Sequence, residues 1–149
     1  MAQATGAVSF RNCKIEISQN GTTWTDISGW ANSISVEGGE RMVGEFFTLD
    51  GDTPILTPGK RGSFDLTTKI VYTEGASDPY ETFRTVYENG SDIYVRWAPK
   101  GGTPGNFQFT TDKCIVTTPA YPSGEASSPD AIAFEFKLKC LTITKGVVA

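Results

Sequence analysis

The sequence predicts a mainly β protein, an antiparallel sandwich or barrel with one flanking α-helix, and three observations carry that prediction. Short segments of two-residue apolar alternation recur along the chain, turns drawn from 16 Gly and 8 Pro separate them, and one segment has helical spacing with end signals. At 149 residues the chain fits a single domain, residues 1–149, able to bury about two-thirds of its unfolded surface.

Cys13, Ile15 and Ile17 alternate with Lys14, Glu16 and Ser18 as a half-buried strand, and Asn20-Gly21 marks a hairpin with Thr23 to Ile27 as its return. A third alternation passes through Ile34 and Val36 to Gly38-Gly39. The stretch from Glu40 to Arg61, ERMVGEFFTLDGDTPILTPGKR, then breaks the pattern. It places Met42, Val43, Phe46, Phe47, Leu49, Ile55 and Leu56 on an excursion containing Pro54 and Pro58, where a short polar turn would suffice. Phe46 and Phe47 are adjacent and point to opposite faces of any strand, so one of them faces away from the core. Such a patch needs a cover, either the domain's own core or another copy of the chain.

Phe64, Leu66, Ile70 and Tyr72 continue as a long strand with one polar face. A helix is expected from about Asp78 to Glu88: Ser77 or Asp78 is the N-cap, Pro79 the first helical residue, Glu81 the partner in a capping box, and Asn89-Gly90 the stop. Tyr80, Phe83, Val86 and Tyr87 share one face of it, which lies against a sheet. Ile93, Val95 and Trp97 form the next strand, and the turn Lys100 to Gly105 leads to Phe107 and Phe109. Pro119 to Asp130 is a surface loop. Ile132, Phe134, Phe136, Leu138 and Cys140 alternate until Leu141 and Ile143 shift the phase, as a β-bulge or a second buried face would. Seven or eight strands result.

Composition narrows the chemistry. A formal charge of -4 and a pI near 4.8 argue against gripping nucleic acid through its phosphates. Three widely spaced cysteines, Cys13, Cys114 and Cys140, with no His anywhere, suggest buried thiols rather than a zinc site or disulfide framework, and no cofactor is expected. Lacking His, the chain also lacks the commonest general base, so an enzyme is not expected. MAQATGAVSF has no signal-peptide pattern and no apolar run is membrane-long, so the expected site of synthesis is a cytosol. Asp50-Gly51-Asp52 reads as a turn rather than half of a calcium loop, and Glu37-Gly38-Gly39-Glu40 as a hairpin turn rather than a catalytic carboxylate pair. Trp24, Trp30 and Trp97, with Tyr94 and Tyr121, read as core and rim residues; the alternative is a sugar-stacking platform on a monomeric binding module.

NGTTWTDISGW at Asn20, the block GGERMVGEFF to GKRGSFDLTTKIVY, the single capped helix and FQFTTDKCIVTTPAYPSGEA at Phe107 together resemble the tail tube proteins, or major tail proteins, of long-tailed bacteriophages. The likeness spans nearly the whole chain and rests on the pattern and order of elements. It implies a tail-tube-like β-sandwich with one helix, assembled as hexameric rings stacked into a hollow tube through which DNA passes. The implied location is the virion tail, assembled in the host cytoplasm. Implied partners are further copies of the chain, tail tip or baseplate and tail terminator proteins, and a tape measure protein in the lumen.

In the family, a long loop between two early strands reaches the neighbouring ring. Here that loop corresponds to residues 40–61, with Glu40, Arg41, Met42, Val43, Phe46, Phe47, Leu49, Asp50, Asp52, Ile55, Leu56, Lys60 and Arg61 as expected contacts. Residues 1–11 and 145–149 are expected to be arms that order between rings. Asp65, Lys69, Asp112 and Glu135 are the expected lumen-facing charges from strand phase. Net acidity suits a channel that must not hold a polyanion. Lys69, Lys137 and Lys139 share those polar faces, however, and argue against a uniformly negative lining.

Overall fold

A computed structural model describes residues 2–149. A short 3-10 turn at Phe10–Asn12 precedes β1 (Lys14–Ser18), β2 (Thr25–Asp26), β3 (Ala31–Gly38), β4 (Arg41–Phe46), β5 (Ile55–Arg61) and β6 (Phe64–Val71). The chain continues through α1 (Pro79–Asn89), β7 (Tyr94–Ala98), β8 (Phe107–Thr111), β9 (Ile115–Thr118), β10 (Ala133–Cys140) and β11 (Ile143–Val147). Every pairing is antiparallel. One sheet has the order β11-β8-β7-β1-β2, a second the order β3-β6-β10-β9, and β4-β5 stand apart as a ribbon. The mainly β fold with one helix is therefore the predicted class, with eleven strands among the described residues rather than seven or eight.

The inward faces of the two sheets make the core. Ile15, Ile17, Val95 and Trp97 come from one sheet, and Ile34, Leu66, Ile70, Phe134, Phe136 and Leu138 from the other. The alternation predicted for β10 is strict, with Phe134, Phe136, Leu138 and Cys140 buried and the residues between them exposed. Helix α1 closes the core from the side: the Phe83 ring stacks on Phe136 at 5.0 Å, and Tyr80 meets Phe134 edge-on at 4.9 Å. Gly90 ends the helix in the left-handed region, as expected of its position.

Several local expectations are corrected. Asn20-Gly21 does not make a two-residue hairpin; Asn20 Oδ1 instead accepts the N–H groups of Thr22 and Thr23 and organises a wider loop before the two-residue β2. No capping box forms at α1. Asp78 Oδ2 accepts the Gly75 N–H, while Glu81 accepts from Arg84 Nε at 3.0 Å, because a guanidinium one turn along holds the carboxylate away from the N-cap. The phase shift at Leu141 is neither a bulge nor a second buried face of β10. There the chain turns from one sheet to the other, and Asp112 Oδ1 accepts the Leu141 and Thr142 N–H groups. Lys145, Gly146 and Val147, expected in a free arm, are instead paired with Phe109, Gln108 and Phe107 in β11.

Gly38-Gly39 is not a hairpin turn. Gly38 pairs with Phe64 and Arg41 with Arg61, and between them Gly39 N–H donates to Ser63 and Gly62 N–H to Glu40, each at 2.9 Å. Strands β3 and β4 thus run against β6 and β5 as one continuous ribbon that leaves the sheet at the two glycines. Gly39 has φ +71°, and a Cβ there would lie 2.2 Å from the Phe64 ring. Gly39→Ala is therefore expected to cost about 1–3 kcal/mol from backbone strain, before any shift of Phe64 is counted. Urea unfolding checks this, and an unchanged midpoint would remove the packing role given to this bend.

Candidate assembly surfaces

The ribbon β4-β5 is the outstanding surface feature. Met42, Val43, Phe46, Phe47, Leu49, Ile55 and Leu56 are each at least 54% exposed. Both Phe46 and Phe47 lie away from the core, at 68% and 62% exposure, where sequence periodicity alone required only one of them to do so. Cross-strand pairing puts Phe46 beside Ile55 on one face and Glu45 beside Leu56 on the other, so the ribbon is apolar on both sides. An isolated two-stranded ribbon is marginal in water, and this one adds a large apolar area that its own domain leaves uncovered.

Other expected contact residues lie along the same ribbon. Arg41 Nη1 donates to the Gly59 carbonyl at 2.9 Å and stitches its base, where Glu40, Lys60 and Arg61 are also exposed. Asp50 and Asp52 sit in the bends at its tip, where the Thr48 hydroxyl donates to the Asp50 carbonyl at 3.0 Å. From Met42 to Gly59 the ribbon contains Glu45, Asp50 and Asp52 and no Lys or Arg.

The outward face of the sheet β3-β6-β10-β9 collects three of the four charges expected to line a lumen. Register places Ser33, Lys69 and Glu135 in one row, Ser35, Thr67 and Lys137 in the next, and Glu37, Asp65 and Lys139 in a third. Lys139 Nζ lies 3.4 Å from Asp65 Oδ1. Glu37, Asp65 and Glu135 thus face Lys69, Lys137 and Lys139 in equal number. The face is charge-balanced rather than acidic. Asp112 is not part of it, because its carboxylate is engaged in the turn between β10 and β11.

A second apolar surface was hidden in what reads as ordinary strand alternation. Phe107 and Phe109 lie on the same face of β8 as the Trp97 contact, with the Phe109 and Trp97 rings stacked at 5.9 Å. Phe107 and Val147 nevertheless stay exposed, along with Val8. Together with Pro99, Lys100 and Asn106, the two phenylalanines and Val8 line a groove of about 300 Å³, and Lys145 Nζ sits 3.9 Å above the Phe107 ring. Alternation cannot reveal it, since whether a face is covered depends on the opposite sheet.

The tryptophans go to three different places. Trp97 is in the core, Trp30 Nε1 donates to Thr73 Oγ1 at 3.1 Å, and Trp24 lies under the Arg96 guanidinium at 4.2 Å. Arg96 itself grips Glu16 through Nε and Nη2 at 3.0 and 3.1 Å, which explains why Glu16, expected on an open polar face, is only 8% exposed. The tryptophans do not form one stacking platform.

The cysteines are free thiols, with Cys114 and Cys140 buried at the seam between the sheets. Burial pushes the thiols of Cys13 and Cys114 above their usual range and that of Cys140 up to about 12, with the neighbouring Cys114 and Asp112 adding to the last. A thiol raised from 9.0 in the folded state binds its proton more tightly than in the unfolded chain. Its contribution to stability is complete below the unfolded value and is lost as pH climbs from there toward about 12. Native protein at mildly alkaline pH is accordingly expected to leave Cys114 and Cys140 unmodified by a maleimide while denatured protein reacts at all three sites, as intact mass measures. Rapid native labelling of Cys140 would contradict its placement.

No protein-family model matches the chain, and no curated protein matches its sequence. Among solved structures it resembles the SPP1 tail tube, with a TM-score of 0.71 at 14% identity over 95% of this chain and 80% of the other. A chain of the sheath–tube complex of the extracellular contractile injection system PVC, in its extended state, gives 0.68 at 15% identity over 97% and 94%. A chain from the tail of an empty gene transfer agent particle, refined with C6 symmetry, gives 0.64 at 12% identity over 99% and 100%. Similarity that covers nearly the whole chain at such low identity is a likeness of fold, and the chain has the tail-tube fold that its sequence resembles.

Proposed function

We propose that this protein is a structural subunit of a phage-type tail, self-assembling into hexameric rings that stack into a hollow tube through which DNA passes on ejection. The observation that carries this reading is the ribbon β4-β5, an extension of the edge pair β3-β6 whose apolar side chains its own domain leaves in water. A large apolar surface that its own domain leaves uncovered favours an assembly subunit over a monomeric binding module. The C6 symmetry of the gene transfer agent tail supports six subunits per ring.

In this reading, residues 40–61 make the contact between rings and residues 1–11 form an arm lying between rings. Edge strands β3 and β9 bring neighbouring four-stranded sheets together, so that the face bearing Asp65, Lys69 and Glu135 lines the lumen. A lining with equal numbers of acids and lysines presents no net attraction to a polyanion in transit. Tail tip or baseplate and terminator proteins would bound the tube, and a tape measure protein would occupy it before DNA.

Electron microscopy of the purified protein across a range of concentrations tests the proposal. Hollow rings or tubes with sixfold averages are the expected result. Monomers at every concentration, with and without a tail-tip complex to start growth, would overturn it.

A further inference from the structure

We infer that the tip of the β4-β5 ribbon of one copy seats in the groove of Val8, Phe107 and Phe109 on the next, held by apolar burial at its centre and by acid-to-lysine pairing at its rim. This rests on the tube reading and names the acceptor that reading leaves open. The donor is apolar and acidic: Phe46, Phe47 and Leu49 are exposed beside Glu45, Asp50 and Asp52, with no base between Arg41 and Lys60. The acceptor is apolar and basic: Phe107 and Val8 are exposed beside Lys100 and Lys145. No acid occurs from Ala98 to Phe109 or from Ile143 to Ala149. Neither lysine makes an ion pair among the described residues, and Lys145 Nζ lies over the exposed Phe107 ring at the groove.

Other exposed apolar positions fit this donor less well. Tyr121 and Ile132 flank a loop that carries Glu125 and Asp130, which would repel an acidic tip. Val36 stands next to Glu37, and the lysine nearest Ile115 across its strand pair, Lys139, is already engaged with Asp65. A contact of one patch with a different patch is heterologous, so each subunit keeps one free donor and one free acceptor and growth propagates along the stack. The ribbon's own exposure shows that it does not reach the groove of its own chain.

The test is a charge exchange in the full chain. Lys100→Glu with Lys145→Glu, all at exposed positions, is expected to raise the concentration needed for tube growth by about tenfold or more, because like charges then meet at the rim. Asp50→Lys with Asp52→Lys is expected to do the same, and mixing the two variants should restore mixed assemblies through donors of one and acceptors of the other. Circular dichroism and thermal melting establish that each variant is folded. As an independent readout, Leu49→Cys with Phe107→Cys should form disulfides between copies on oxidation of assembled tubes by oxidised glutathione, which is reduced as the two thiols join. Tubes that form at the wild-type concentration from both charge-exchange variants, with no cross-link between copies of the cysteine variant, would overturn the groove assignment while leaving the tube reading intact. Absence of tubes from the wild type would instead strike the tube reading itself.

Discussion

Phe46→Asp and Phe47→Asp are each expected to leave a folded monomer that no longer builds tubes. In the free chain these side chains are in water, so a carboxylate there disturbs no core and the melting temperature should hold within the scatter for surface changes. In a docked ribbon the same carboxylate would lose hydration at the apolar centre of the contact, and the burial of a phenylalanine, about 1.5–3 kcal/mol, would be forfeited as well. A combined penalty of about 3 kcal/mol or more per contact corresponds to about a hundredfold rise in the concentration at which assembly begins. Sedimentation and electron microscopy read both halves of the result. Tubes from both variants at the wild-type concentration would show that the ribbon makes no assembly contact.

Phe83→Ala addresses the opposite kind of residue. Its ring is fully buried, stacks on Phe136 at 5.0 Å and joins α1 to the sheet that carries β10. Truncation removes a buried ring and leaves a cavity between two rigid elements, an expected loss of about 3–5 kcal/mol. Total stabilities of small domains are about 5–15 kcal/mol, so this single change would consume a large share of the margin. Chemical denaturation measures it, and a loss below about 1 kcal/mol would mean that α1 does not close the core. The pair separates two roles for aromatic residues in one chain: Phe46 is expected to matter only when copies meet, Phe83 whether or not they do.

Much of this architecture was legible because its signals are local. Strict alternation from Phe134 to Cys140 emerged as the burial pattern of β10, and Pro79 and Gly90 bounded α1 as their backbone preferences require. Local signals failed where neighbouring side chains compete for the same groups. Glu81 had the position for a capping box, yet Arg84 took its carboxylate, and Asn20-Gly21 had the letters of a tight hairpin, yet the Asn20 side chain organised a longer loop. Gly38-Gly39 looked like a turn because two glycines usually end a strand. In fact they let one ribbon bend past Phe64 and continue.

For the surfaces, the sequence by itself determined that an apolar excursion existed between Glu40 and Arg61, since hydrophobic residues and prolines there outnumber what any turn needs. It also determined the polar phase of β6 and β10, because side chains alternate with a period of two on any sheet. Only the tertiary structure decided that both Phe46 and Phe47 are bare, that Asp112 holds a turn while Asp65, Lys69 and Glu135 share a face, and that the alternation of Phe107 and Phe109 ends in an open groove. Periodicity reports which way a side chain points relative to its own strand. Whether anything stands opposite depends on the packing of sheets whose strands are far apart in the chain, and no local pattern encodes that distance.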